Sequence, residues 1–157
     1  MATRAISPKL PIATKITLFG GESVAGEFFV SAVSPRHPGP ETLQELLNDN
    51  TRSFVPFQTE EGMMLLSRTA VRVVDFESAE LLAIFTRPDN DCMYPFTVVL
   101  QSEQPEGMIE GYCYTGDLST DAQRPVDLLN CPDMFLLVFR DERMILINKN
   151  AVSHVIV

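Results

Sequence analysis

Residues 63–71 read MMLLSRTAV, and residues 144–152, which lie 81 positions later, read MILINKNAV. Four of these nine positions are identical, and most of the others are conservative, with Ile for Met or Lys for Arg. Each stretch has a short apolar run, a turn with one basic residue and the start of a second apolar run. Two similar stretches with such a spacing are typical of an internal repeat.

The similarity extends outward from both stretches in the same order. A spacing of 81 aligns Phe54 with Phe135, Gly26 with Gly107 and Glu22 with Glu103, and a spacing of 82 aligns Leu46-Leu47-Asn48 with Leu128-Leu129-Asn130. We therefore interpret the chain as two tandem copies, at about 12–76 and 94–157. They define two domains, 1–78 and 79–157, and the apolar stretch 78–85 is expected to contribute to the contact between them.

Each copy is predicted to form five short strands and one helical insert. Short apolar runs bounded by Gly, Pro, Asn and Ser are typical of strands. The strands are predicted at 15–19, 24–32, 53–57, 63–66 and 71–74 in the first copy, and at 96–101, 108–114, 134–139, 143–147 and 152–157 in the second. Leucines at helical spacing predict helical turns within 41–48 and 125–130, which we expect to plug a barrel end. The fold class is therefore mostly β.

Two segments of the first copy, together with 146–155 of the second, resemble the conserved motifs of the Sm-like proteins. Residues 16–26 resemble the first motif, which has a strand, a glycine turn and a bent strand carrying glycine. Residues 65–73 and 146–155 resemble the second motif, an apolar strand followed by a basic turn and a short strand. The resemblance implies two tandem five-stranded Sm-like (SH3-like) barrels, and the family often assembles through strand edges into rings.

The RNA-binding residues of that family are missing at the matching positions. Long inserts, 34–50 and 115–130, replace the loop that carries its aspartate and asparagine. The turn before the last strand has Arg68 or Lys149 without the glycine that follows in the family. We interpret these two basic residues as solvated turn residues, with a phosphate contact as the alternative.

Charge also narrows the choice of partners. The net charge is −9, with seven basic and nine acidic residues in 1–78 against five and twelve in 79–157. Nucleic acids and anionic membranes attract Lys and Arg clusters, and the sequence has none. No apolar run approaches the ~20 residues of a membrane span, and 1–15 do not resemble a secretory signal. We expect a cytoplasmic protein with protein partners.

Cysteine and histidine give no pattern for a metal site or a disulfide framework. Cys92, Cys113 and Cys131 are an odd number without a CxxC pair, and the chain has two histidines. A reduced compartment fits this pattern. Cys113 lies in a predicted strand, where a buried structural thiol is expected. The six methionines at 63, 64, 93, 108, 134 and 144 are expected to fill the core where they lie in strands, with an adaptable apolar surface as the alternative.

The sequence predicts no enzyme and no cofactor. It has no phosphate-binding loop, GxSxG or HExxH motif. The acidic pairs Glu60-Glu61 and Asp141-Glu142 lie in predicted turns, where we expect them to be solvated rather than catalytic.

Three functions are consistent with these observations. The leading hypothesis is a non-catalytic interaction or assembly module whose strand edges and inserted loops bind protein, including other copies of itself. The second is a domain that senses a small anion or nucleotide near Arg36, Arg52 and Arg68, or near Arg124 and Lys149. The third is RNA binding, which the acidic charge disfavours.

Overall fold

Most of the residues that the structure describes form β-strands. The computed structural model describes residues 9–78, 93–101, 107–114 and 124–157. The strands are β1 (Lys9–Leu18), β2 (Ser23–Ser31), β3 (Phe54–Thr59), β4 (Gly62–Ser67), β5 (Val71–Phe76), β6 (Met93–Leu100), β7 (Met108–Tyr114), β8 (Phe135–Arg140), β9 (Arg143–Asn148) and β10 (Val152–Ile156). The helices are α1 (Leu43–Asn48) and α2 (Pro125–Asn130), with 3-10 turns at Arg68–Ala70 and Lys149–Ala151.

All ten strands belong to one open antiparallel sheet. Its order is β10-β6-β7-β8-β9-β5-β1-β2-β3-β4. The prediction of a mostly β chain with two short helices is confirmed. The predicted division into two five-stranded barrels is not confirmed, however, because β5 pairs with β9 and so joins the strands of both predicted copies in a single open sheet. This pairing satisfies one backbone edge of each copy.

The two halves of the sheet have the same internal order. The first half runs β5-β1-β2-β3-β4 and the second runs β10-β6-β7-β8-β9. A shift in register occurs at Thr17/Leu18 where β1 pairs with β5, and another occurs at Val152/His154 where β10 pairs with β6. An irregularity thus recurs at the corresponding strand pair of each half.

One glycine in each half allows two strands to approach closely. A Cβ on Gly26 would lie 2.5 Å from the carbonyl oxygen of Gln58, and a Cβ on Gly111 would lie 2.6 Å from that of Phe139. Gln58 and Phe139 are 81 positions apart, so Gly111 is the structural counterpart of Gly26. The sequence alignment pairs Gly26 with Gly107, and this pairing is wrong. The close approach of β8 requires a glycine four positions later, at Gly111 in β7.

Strands β8 and β9 contribute to both hydrophobic cores. Phe135, Leu137, Met144 and Leu146 pack in the first core with residues of β1–β5 and α1. Their alternate neighbours Leu136, Val138, Ile145 and Ile147 pack in the second core with residues of β6 and β7. Successive side chains of a strand point to opposite faces, so this hairpin forms a wall shared by both cores.

Helix α1 covers the first core, although it packs on an open sheet rather than on the end of a barrel as predicted. Leu43, Leu46 and Leu47 are buried there. Leu128 and Leu129 of α2 pack against the second core but remain half-buried. The helical plug is therefore complete in the first half and partly exposed in the second.

Several predictions concern segments outside the described residues. Nearly all of the stretch 78–85, most of the insert 115–130 before α2, Glu103 and Cys92 belong to them. Among the described residues, no helix is long and apolar enough to cross a membrane.

Candidate protein-interaction surface

The hairpin β3–β4 exposes an apolar face. Phe54, Pro56, Met63 and Leu65 lie on the same side of the hairpin, which we call the β3–β4 face. Phe54 is 61% exposed, Met63 54% and Leu65 71%. On the opposite side, Val55, Phe57 and Leu66 are buried in the first core. Strand β4 also ends the sheet on this side, so its outer backbone groups form an edge.

An apolar face beside an edge strand is a feature that protein surfaces normally avoid. Edge strands are usually short, charged or covered, because unpaired backbone groups recruit another strand. Clustered exposed apolar side chains mark interaction sites. The β3–β4 face combines both properties, and the four residues that define it are uncharged.

A second partly exposed surface lies at the other end of the sheet. Strand β10 forms that edge. Five of the residues of α2 and β10 that are exposed or half-buried define what we call the α2–β10 surface: Leu128, Leu129, Asn130, Val155 and Ile156. Ile156 is 52% exposed. The described sheet therefore has partly exposed apolar side chains at each of its ends, mixed at the β10 end with polar residues such as His154.

Arg68 and Lys149 are not the solvated turn residues that the sequence predicted. Arg68 is only 5% exposed, and its guanidinium donates hydrogen bonds to the carbonyl oxygens of Arg52 and of Leu47, the latter at 2.7 Å. Lys149 Nζ donates to the carbonyl oxygens of Leu128 (2.9 Å) and Cys131 (3.0 Å). Both cations bind carbonyls at or just beyond the end of an inserted helix, where backbone acceptors lack partners within the helix.

The other basic residues singled out by the sequence lie apart on exposed positions. Arg52 pairs with Asp49 at 3.4 Å, and the hydroxyl and amide of Thr51 hold the pKa of Asp49 below its usual value. Arg124 pairs with Asp127 at 3.3 Å and lowers its pKa. Arg36 lies exposed in the loop before α1.

Most of these basic side chains already bind backbone carbonyls or carboxylates, so they offer few donors to an anion. The structure brings Arg52 and Arg68 together at the backbone carbonyl of Arg52, which accepts a hydrogen bond from the Arg68 guanidinium, and both cations lie near the Asp49 carboxylate, which already balances their charge in part. Arg124 lies on an exposed position at the start of α2, whereas Lys149 binds carbonyls at the other end of that helix.

Of the cysteine and acidic residues singled out by the sequence, Cys113 is buried in the core and the two acidic pairs are exposed to solvent. Cys113 is fully buried, and this burial raises the pKa of its thiol to about 11. The pairs Glu60-Glu61 and Asp141-Glu142 lie exposed in the turns of the β3–β4 and β8–β9 hairpins. No group of three or more potential metal ligands occurs among the residues that the structure describes.

At the exposed methionines the leading prediction is wrong, and the alternative of an apolar surface fits better. Met63, Met64 and Met108 were expected to fill the core, yet all three are exposed, whereas Met144 is buried as expected. An unbroken apolar run such as MMLL lacks the alternation that distinguishes a covered face from an open one. The corresponding run MILI in the second copy is equally apolar yet buried, so the sequence alone does not distinguish the two.

No protein-family model, curated protein or solved structure matches this chain.

Proposed function

We propose that this protein is a non-catalytic interaction or assembly module, built from two Sm-like units, whose sheet edge at β4 binds another protein. The two halves have the same strand order, which supports the duplicated unit. The single observation that carries the interaction function is the exposed apolar β3–β4 face beside an edge strand.

The chemistry of that surface favours addition of a strand from a partner protein. Edge strand β4 offers backbone donors and acceptors, and Phe54, Met63 and Leu65 offer apolar side chains to the partner. In strand addition, main-chain hydrogen bonds supply affinity and side-chain contacts supply specificity. Neutral residues at this face give no attraction to phosphate groups, so an apolar protein segment is the ligand that fits it.

Photo-crosslinking in the cells that produce the protein tests this function. A photoreactive benzoylphenylalanine at position 65 should form covalent adducts with a protein, which mass spectrometry then identifies. The same group at Val33, which is 72% exposed in the loop after β2, is the matched control and should form no such adduct. Equal labelling from both positions would contradict the proposed function.

A further inference from the structure

The turn of the β3–β4 hairpin carries an acidic pair that no neighbouring cation balances. Glu60 and Glu61 are both exposed, and within the described parts of the chain neither carboxylate forms an ion pair. Between Ser53 and Ser67 the sequence contains these two glutamates and no lysine, arginine or histidine. The hairpin that carries the apolar β3–β4 face is therefore negative at its turn and uncharged along its strands.

The corresponding turn of the second half has cations beside its acidic pair. Arg140 and Arg143 flank Asp141-Glu142 there, and the guanidinium of Arg140 lies 3.9 Å from the Asp141 carboxylate. The first half has Thr59 and Gly62 at the positions of the two arginines. Both turns thus carry two acidic residues, but only the turn beside the open apolar face lacks flanking arginines.

A third carboxylate lies on the same side of the sheet. Glu27 of β2 is opposite Gln58, which in turn is opposite Met63, and directly opposed residues share one face of a sheet. Lys15 of β1 lies on that side too, but within the described residues it forms no salt bridge with Glu27. Arg68 follows the far end of β4, about 20 Å from the turn along the six-residue strand, and its guanidinium already binds carbonyls. The surface around the turn is therefore negative.

We propose that the partner at the β3–β4 face is a protein segment with apolar residues at alternate positions and Lys or Arg at one end. Its apolar side chains pack on Phe54, Met63 and Leu65 as the segment adds to β4. Its basic end lies beside the carboxylates of Glu60 and Glu61. This inference rests on the proposed function and names the chemistry of its partner.

Apolar contact and charge have different roles in this pairing. Exposed ion pairs add little affinity, so most of the binding free energy comes from the apolar contacts and the main-chain hydrogen bonds. The charges set which end of the segment lies at the turn, and they reject acidic segments by repulsion. The net charge of −9 also acts against acidic partners at long range.

Selection of peptides from a random library displayed on phage tests this chemistry. Peptides that bind the wild type but not the neutral variant Phe54→Ser/Leu65→Ser depend on the β3–β4 face. They should have apolar residues at alternate positions and an excess of Lys and Arg at one end. Selection on Glu60→Gln/Glu61→Gln should return the apolar alternation without this basic excess.

The second half supplies the matched control. Asp141→Asn/Glu142→Gln neutralises the corresponding acidic pair in the β8–β9 turn, and Asn tolerates the positive φ of 46° at position 141. Selection on this variant should return the same basic-ended peptides as the wild type. All of the substituted side chains are exposed, and far-UV circular dichroism establishes that each variant is folded.

Fluorescence anisotropy of one selected peptide measures the contribution of the charges. At physiological salt, Glu60→Gln/Glu61→Gln should weaken binding by about two- to thirtyfold, the range for two exposed ion pairs. The difference should disappear in ~1 M NaCl, where the screening length falls to about 3 Å. Phe54→Ser/Leu65→Ser should weaken binding at both salt concentrations, because it removes apolar contacts.

The outcomes separate this inference from the function on which it rests. Selected peptides without the basic excess, or a basic excess that persists on Glu60→Gln/Glu61→Gln, would overturn the cationic partner. If crosslinking at position 65 still captures a protein, the interaction function stands and only its charge preference falls. A captured segment with Lys or Arg at one end supports that preference, and a segment without them overturns it. If no peptide depends on the β3–β4 face and position 65 captures nothing beyond the Val33 control, both are wrong.

Discussion

Arg68 and Lys149 close the C-terminal ends of the two inserted helices. Arg68 reaches the Leu47 carbonyl of α1, and Lys149 reaches the Leu128 carbonyl of α2. The last carbonyls of a helix have no partner within it, and a nearby cation also interacts favourably with the helix dipole. A single basic residue in the turn before the last strand of each half therefore fixes an insert onto the sheet.

Replacing Arg68 with Met should destabilise the fold. The variant keeps an apolar stem of similar length but leaves the carbonyls of Leu47 and Arg52 without their donor. Unsatisfied buried acceptors cost about 1–3 kcal/mol each, so urea denaturation should show a loss of that order in the free energy of unfolding. Arg36→Met, at an exposed position, is the control and should change stability by less than about 0.5 kcal/mol. Equal stability of the two variants would contradict this role for Arg68.

The sequence reveals these basic positions but not their environment. Its pattern correctly places Arg68 and Lys149 in turns before the last strand of each half. Their burial depends on an insert that folds back over the turn from about 20 residues earlier. A local sequence pattern does not encode the contact between the turn and the insert, so the prediction that Arg68 and Lys149 are solvated was wrong.

At the scale of single elements, the start of α1 shows how a six-residue helix is stabilised. Thr42 Oγ1 accepts from the Glu45 N–H at 3.1 Å, and the Glu45 carboxylate accepts from the Thr42 N–H at 3.3 Å, a capping box. That carboxylate also accepts from the Ser34 hydroxyl at 2.9 Å and contacts the His37 ring. Glu45 thus ties the loop before α1 to the first turn of the helix.

Glu45→Gln should weaken the protein at neutral pH and not in acid. Burial raises the pKa of Glu45, but hydrogen bonds from His37, Ser34 and Thr42 outweigh it and hold the pKa below its ordinary value of 4.5. A carboxyl group with a lowered folded pKa stabilises the protein above its unfolded pKa, and that stability is lost as the pH falls through the folded pKa.

Urea denaturation at pH 7 should therefore show a loss of about 1 kcal/mol for Glu45→Gln, typical of a lost helix cap. The difference from the wild type should shrink once the pH is well below 4.5, where the native carboxyl is protonated. Glu60→Gln, in an exposed turn, is the control and should track the wild type. A stability deficit of Glu45→Gln that stays constant down to acid pH would exclude the carboxylate as its cause.

Strand and helix positions were largely predictable, whereas the partner of each strand was not. Short apolar runs between turn residues placed nine strands within three residues of their observed bounds, whereas β1 begins six residues before its predicted start; the leucine spacing placed both helices. The pairing of β5 with β9 joins residues more than 65 positions apart, and no local pattern encodes it. The mismatch at Gly107 has a similar origin, because the requirement for glycine comes from a crossing strand.

At the scale of the whole molecule, the shared wall β8–β9 couples the two halves. Leu146 packs in the first core while its neighbours Ile145 and Ile147 pack in the second. Either core therefore loses part of its own lining if this hairpin unfolds. The two halves are expected to unfold together.

Amide hydrogen exchange at increasing urea concentrations tests this coupling. Amides of β1–β2 and β6–β7, which lie in different halves, should lose protection in one shared transition. Leu146→Ala, a large-to-small change in the first core, should lower the free energy of that transition by about 2–5 kcal/mol for both segments equally. Protection that survives in one half after the other has opened would contradict the coupling.

The Arg143 ion pairs help to select the strand that pairs with β5. Arg143 binds Asp75 and, at 2.8 Å, Glu77, and it does so at the contact between β9 and β5. Strand β4, which resembles β9 in sequence, has Gly62 at the position that corresponds to Arg143. A β4 strand paired with β5 in the same register would leave both carboxylates without a cation. The two ion pairs thus favour β9 over β4 as the neighbour of β5.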